Sequence, residues 1–171
     1  LSMSRLSIGT IARIVAVNVL VLAVGVVALE IAFGNWFSPN RLNQLHLPKL
    51  VDRIYDSSGV YSGGGMVKYK RDRYGFRGLY PDVASIDILT IGGSTTDQRF
   101  IGEGKTWQDI LRLNFVRCGY NLSVVNAGVD GQSTFGHIKN FHWWFPYVPK
   151  LRVKYFLFYI GLNDFYKEDG D

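Results

Sequence analysis

Cysteine is almost missing from this chain. Cys118 stands alone among 171 residues, which excludes an intrachain disulfide framework and any Cys-rich zinc site. Histidine is nearly as scarce: His46, His137 and His142, with the scattered carboxylates, show no metal-ligand spacing. Charged residues make up only 19% of the chain, and five prolines with no low-complexity tract exclude a collagen-like or disordered polymer. No Gly-x-Gly-x-x-Gly follows an apolar run. Gly104-Lys105-Thr106 looks like the end of a phosphate loop, but Arg99 stands where its first glycine belongs. Asn121-Leu122-Ser123 fits a glycosylation acceptor and is equally explained as a helix-to-strand turn. No cofactor or metal is expected.

What is abundant is apolar side chain, 47% of the residues. From Ile14 to Leu29 the only polar side chain is Asn18, and adding Ile31, Ala32 and Phe33 gives a continuous run over 14–33. As a helix this run spans about 30 Å, the thickness of a bilayer's hydrocarbon core. Arg13 and Glu30 lie near its ends, where they can snorkel, and Trp36 and Phe37 suit an interfacial belt. A cleaved signal peptide and a buried core helix are the alternatives. The apolar region is long for a signal peptide and no small-x-small cleavage site is evident, so a single-pass anchor within residues 1–37 is expected. Arg5 and Arg13 are nearer the span than Arg41, Lys49 and Arg53, which favours a cytoplasmic amino terminus and an exported remainder, periplasmic or extracellular.

Residues 38–80 form a basic, aromatic connector. Between Arg41 and Arg77 there are eight Lys or Arg against three Asp, interleaved with Tyr55, Tyr61, Tyr69, Tyr74, Phe76 and Tyr80. The net charge of +5 asks for an anionic neighbour. Beside a membrane anchor, lipid headgroups, an anionic glycan or a protein partner fit better than nucleic acid, and a solvated connector with no specific partner fits as well. Ser57-Ser58-Gly59 and Gly63-Gly64-Gly65 read as turns between extended pieces of a hairpin.

An α/β domain is expected over 81–171. Ile86 to Ile91 is a short apolar run closed by Gly92-Gly93, a buried strand by its length and flanks. Thr106 reads as a helix cap with Asp109 three positions on, followed by Trp107, Ile110, Leu111, Phe115 and Cys118 at helical spacing. Cys118 on that stripe is expected in the core. Ser123–Ala127 is a second strand. Ser133 opens a second helix with Phe135, Ile138, His142 and Phe145 on one face, and Tyr155–Ile160 is a third strand, apolar on both faces. Strand–helix–strand–helix–strand implies a parallel sheet with right-handed crossovers.

Three polar clusters, Gly92–Thr96, Gly128–Gln132 and Gly161–Asp164, each fall just past the carboxyl end of an expected strand. In an open α/β sheet that edge forms the ligand crevice. Each alone is ordinary turn chemistry. Together they would supply a hydroxyl nucleophile, a glycine amide and a carboxamide. The three blocks, Ile91-Gly92-Gly93-Ser94-Thr95-Thr96, Asn126-Ala127-Gly128-Val129-Asp130-Gly131 and Gly161-Leu162-Asn163-Asp164, resemble those of the SGNH, or GDSL-like, hydrolases over roughly residues 72–166. Arg73-Tyr74-Gly75-Phe76-Arg77-Gly78 is similar to the lead-in of membrane-anchored bacterial members. The resemblance implies a three-layer, flavodoxin-like parallel sheet. It also implies Ser94 as nucleophile, with the Ser94 and Gly131 backbone N–H groups and the Asn163 side chain as oxyanion donors.

One block of that pattern, an Asp-x-x-His pair supplying base and orienter, has no match in these residues. The apolar strand 155–160 needs sheet neighbours on both sides, so the expectation is that the natural chain continues past Asp171 or that another protein covers this edge. Two functional expectations follow. One is a membrane-anchored serine esterase or acyl transferase acting on O-acyl groups, with an acylated cell-envelope glycan or another ester as substrate. The other is a catalytically inactive single-span subunit of a membrane protein assembly, working through its helix and connector.

Overall fold

The computed structural model describes residues 7–34, 42, 45–161 and 163–164. Trp36, Phe37, Arg5 and Arg41, invoked above for the membrane boundary, and Leu162 of the third block lie outside the described residues. The chain divides into two compact units, Leu1–Gln44 and Leu45–Asp171.

The first unit is built on one helix, α1 (Ile8–Phe33), long and apolar enough to cross a membrane. It begins at Ile8 rather than Ile14, so Arg13 lies inside the helix and not at its end. The Ser7 hydroxyl makes this start, accepting from the Thr10 N–H at 3.2 Å as an N-cap. The Gly34 N–H closes the other end on the Glu30 carbonyl at 2.8 Å. Its 26 residues extend about 39 Å, and none of its side chains is buried by protein. Asn18, the polar exception, donates its amide to the Ile14 carbonyl at 2.8 Å, which reduces the cost of placing it among apolar neighbours.

The second unit is a mixed α/β structure. Strands β1 (Val51–Asp56) and β2 (Met66–Arg71) form the expected antiparallel hairpin, in register from Val51 opposite Arg71 to Asp56 opposite Met66. Then follow β3 (Ile86–Gly92), α2 (Ser94–Asp97), α3 (Trp107–Arg117), β4 (Val124–Asn126), α4 (Thr134–Trp143) and β5 (Val153–Tyr159). The three later strands make the expected parallel sheet, in the order β4-β3-β5. Central β3 contributes Ile86, Leu89 and Ile91, and β4 contributes Val124 and Val125, all effectively removed from solvent.

The two edges of this sheet differ. Along β4, Arg77 makes an antiparallel bridge with Asn126, donating its N–H at 2.9 Å and accepting at 2.8 Å. Among the described residues β5 pairs with β3 alone, and Tyr155 to Ile160 remain 40–66% exposed.

Both longer helices bury something other than the face their apolar spacing marks. In α3, Trp107, Leu111 and Phe115 are half-buried, but Ile110 and Cys118 are exposed. The fully buried positions are Gln108 and Asp109. Asp109 is engaged in a reciprocal capping box with Thr106, and Gln108 donates its amide to the Thr96 carbonyl at 3.0 Å while its Oε1 has no hydrogen-bond partner. Around α4, Phe135, Ile138 and His142 of the expected face are exposed and only Phe145, just past the helix end, is buried, while Ser133, His137, Asn140 and Trp144 face inward. Trp144 stacks on Phe76 at 5.3 Å and donates its indole N–H to the Tyr74 carbonyl at 2.6 Å. Gly75, at φ +86°, is needed here: a Cβ would stand 3.1 Å from the Trp144 ring.

The basic stretch before the sheet is not uniformly solvated. Lys68 and Lys70 are exposed and share Asp52 at 3.5 and 3.2 Å. Arg71 and Arg77 are instead buried within the α/β unit. Arg71 reaches Asp97 at 2.5 Å and also binds the Gly75 and Gly128 carbonyls. Arg77 holds the Asp97, Gln98 and Ile101 carbonyls and pairs with Glu103 at 2.9 Å. Tyr69 donates to Asp97 at 2.7 Å, and burial first of all pushes its phenol up to about 12. The hairpin and the loop after β3 are thus one electrostatic assembly.

Candidate functional site

The loop after β3 is shaped by two glycines. A Cβ on Gly92 would meet the Tyr159 carbonyl oxygen at 2.4 Å, and one on Gly93 would meet the Asn163 amide nitrogen at 2.2 Å. Their bareness lets the ends of β3 and β5 approach closely. Ser94 then opens the single turn α2, exposed, with Asp97 at the other end buried against Arg71. The turn stops at Gln98, whose backbone is left-handed at φ 50°. The Gln98 side chain accepts from the Trp107 N–H at 2.9 Å, tying α2 to the start of α3.

The loop after β4 is fixed by Asn126. Its amide donates to the Thr96 carbonyl at 2.6 Å and its oxygen accepts from the Gly128 N–H at 2.8 Å. Gly128 lies so close that a Cβ would come within 2.5 Å of the Asp97 nitrogen. Asp130 pairs with Arg99 at 2.9 Å. Gly131, at φ +71°, is the turn's left-handed position and carries an exposed backbone.

Ser94 and Asn163 line one small cavity of about 110 Å³ at the carboxyl edge of β3 and β5, together with Gln132, His137, Tyr159 and Gly161. Gly131 is not part of that lining, although its neighbour Gln132 is. Asn163 donates one amide hydrogen to the Gln132 carbonyl at 3.0 Å, and a primary amide has a second to offer. Asp164 accepts from the Thr134 N–H at 2.7 Å and from its hydroxyl, so the third block is pinned to the start of α4.

His137 is the residue the sequence reading did not place in the site. It is 3% exposed and Nδ1 shares a hydrogen with the Gln132 Oε1 at 2.9 Å, while Gln132 also exchanges two bonds with Asn140. Desolvation lowers its pKa below the ordinary 6.5, against the opposing charge of Asp164. A neutral imidazole in this place holds Gln132, and through its carbonyl Asn163. The signal available was position: His137 lies four residues past Ser133, on the face one turn from the second block.

The site is therefore a hydroxyl on a tight turn, a carboxamide held by a neighbouring carbonyl, and a left-handed glycine, all on loops at one end of a parallel sheet. Comparison with known proteins finds no match: no protein-family model, no curated protein and no solved structure.

Proposed function

We propose that this chain carries the nucleophile and oxyanion-binding part of an SGNH-type serine esterase or acyl transferase, tethered to a membrane by α1. The observation that carries the reading is the shared cavity: Ser94 and Asn163, on loops after two different strands, line it together, and Gly93 has no side chain to separate them. The strand order supports it as well. In sequence order β4-β3-β5 is 2-1-3, the beginning of the flavodoxin-like order 2-1-3-4-5, whose ligand site falls between its strands 1 and 3.

In the proposed reaction the Ser94 Oγ attacks the carbonyl carbon of an O-acyl ester. The tetrahedral oxyanion accepts from the Ser94 and Gly131 N–H groups and from Asn163. The ester C–O bond breaks, the alcohol departs with the serine's proton, and the acyl group on Ser94 passes to water or to a second alcohol. In the family that this chain resembles, the proton is carried by the His of an Asp-x-x-His pair, which these residues do not include. The substrate we infer is an O-acylated glycan of the cell envelope, reached from an exported domain with the amino terminus in the cytoplasm.

A second reading, a non-catalytic subunit of a membrane assembly, is favoured by the exposed apolar residues of β5. A fluorophosphonate probe applied to the full chain in native membranes separates the two. Covalent labelling mapped to Ser94 and abolished in Ser94→Ala supports the enzyme. A folded protein whose Ser94 peptide stays unmodified refutes it and leaves the subunit.

A further inference from the structure

Ser94 and Thr95 line two cavities of very different size. The one shared with Asn163 holds about 110 Å³, room for about four atoms the size of water at ~30 Å³ each. The other is an open cleft of about 450 Å³, room for about fifteen by the same measure. The small one matches an acetyl group in volume. The cleft fits one pyranose ring with its substituents, about a dozen heavy atoms.

The chemistry of the cleft is mixed in a particular way. Tyr61, Phe100, Trp107 and Tyr159 supply aromatic surface, and Arg99 with Asp130 supplies a charged pair. Aromatic faces pack on the C–H face of a sugar ring, while a guanidinium–carboxylate pair holds adjacent hydroxyls, giving and accepting hydrogen bonds. A lipid chain would use the first kind of surface and strand the second.

These groups are held in place before any ligand arrives. Trp107 donates its indole N–H to the Thr95 carbonyl at 3.2 Å, one residue from Ser94. Arg99 is fixed by Asp130 at 2.9 Å and lies 6.0 Å from the centre of the Tyr55 ring. Tyr61 comes from the β1–β2 turn, upstream of every block that marks the site in the sequence. That turn is held by hydrogen bonds: Ser57, 2% exposed, donates its hydroxyl to the Gly65 carbonyl at 2.8 Å and accepts from the Tyr61 N–H on its own carbonyl at 3.0 Å.

The geometry points to a division of the ester between these two cavities: an acetyl-sized acyl group beside Asn163 and Gln132, and a pyranose alcohol on the aromatic wall to which the hairpin contributes Tyr61. This rests on the serine-ester reading and extends it, making Tyr61 and Trp107 determinants of which alcohol is accepted.

The test is binding of mono-O-acetylated xylohexaose to the full chain in lipid nanodiscs, read by saturation-transfer NMR, with adenosine and octanoyl glycerol as competing probes. Tyr61→Ala, at an exposed turn position, weakens the sugar roughly five- to tenfold, the loss expected for one packed ring. Trp107→Phe, which keeps a ring but loses the bond to Thr95, weakens it less. No binding, or binding that neither variant changes, overturns the division, as does equal occupancy by adenosine or octanoyl glycerol. Fluorophosphonate labelling of Ser94 on the same samples reads the underlying chemistry separately. Labelling without sugar binding sinks the division alone, and sugar binding without labelling keeps the pyranose cleft and sinks the serine reaction.

Discussion

Replacing Asp97 by alanine is the sharpest test of how the second unit is held together. Arg71 and Asp97 have side chains 0% and 1% exposed, joined at 2.5 Å, with Tyr69 donating to the same carboxylate oxygen at 2.7 Å. Asp97→Ala leaves a buried guanidinium that cannot shed its charge, and breaking such a pair from one side costs about 3–5 kcal/mol. For a unit of this size that is a fall on the order of 10–20 °C in melting temperature. The assay is thermal unfolding of the full chain in detergent, followed by near-ultraviolet circular dichroism, to which α1 contributes little. Arg71→Met/Asp97→Leu removes both charges and recovers part of the loss. Full recovery is not expected, because Arg71 also satisfies the Gly75 and Gly128 carbonyls. Asp52→Ala, which breaks pairs with the half-exposed Lys68 and Lys70, serves as the control and leaves the midpoint within error. An Asp97→Ala midpoint within a few degrees of wild type, or a double variant no better than the sum of its singles, would refute the reasoning.

Three further expectations concern the site and the topology. Gly93→Ala puts a Cβ 2.2 Å from the Asn163 nitrogen, so fluorophosphonate labelling of Ser94 slows about 100-fold while the melting temperature stays near wild type. His137 is held below its ordinary pKa of 6.5, chiefly by desolvation, so the folded state prefers the neutral ring. Its contribution is complete above pH 6.5 and is lost as the pH falls through the lowered folded value. The stability gap between wild type and His137→Gln therefore narrows on acidification, and a gap that widens contradicts the assignment. Cys118, the only cysteine and an exposed one, reports sidedness: a membrane-impermeant maleimide labels it in intact cells if the second unit is exported, and only after lysis if it is not.

The strands were legible because their signal is local. An apolar run between turn residues, as at Ile86–Ile91 or Tyr155–Ile160, describes a strand whatever lies around it, and the observed strands agree to within two residues at each end. The helix faces were not legible, since α4 turns His137 and Asn140 inward and leaves Phe135 and Ile138 outside. Apolar spacing cannot anticipate a buried face whose polar groups are satisfied by Gln132, a residue outside the helix. The burial of Arg71 and Arg77 was hidden for the same reason. A basic residue in a basic stretch reads as solvated until its carboxylate partner, more than twenty positions away, is known. At the site, glycine and turn residues marked where Ser94 and Asn163 would lie, but the aromatic wall, drawn partly from the hairpin, carried no mark.

The antiparallel bridge between Arg77 and Asn126 has a consequence for valence. It occupies the β4 edge at one residue pair, whereas among the described residues no strand pairs with the outer side of β5. An open sheet edge presents unpaired backbone groups to whatever strand comes next. An apolar strand as exposed as β5 is therefore the place at which a further strand, from this chain or another, would add to the sheet.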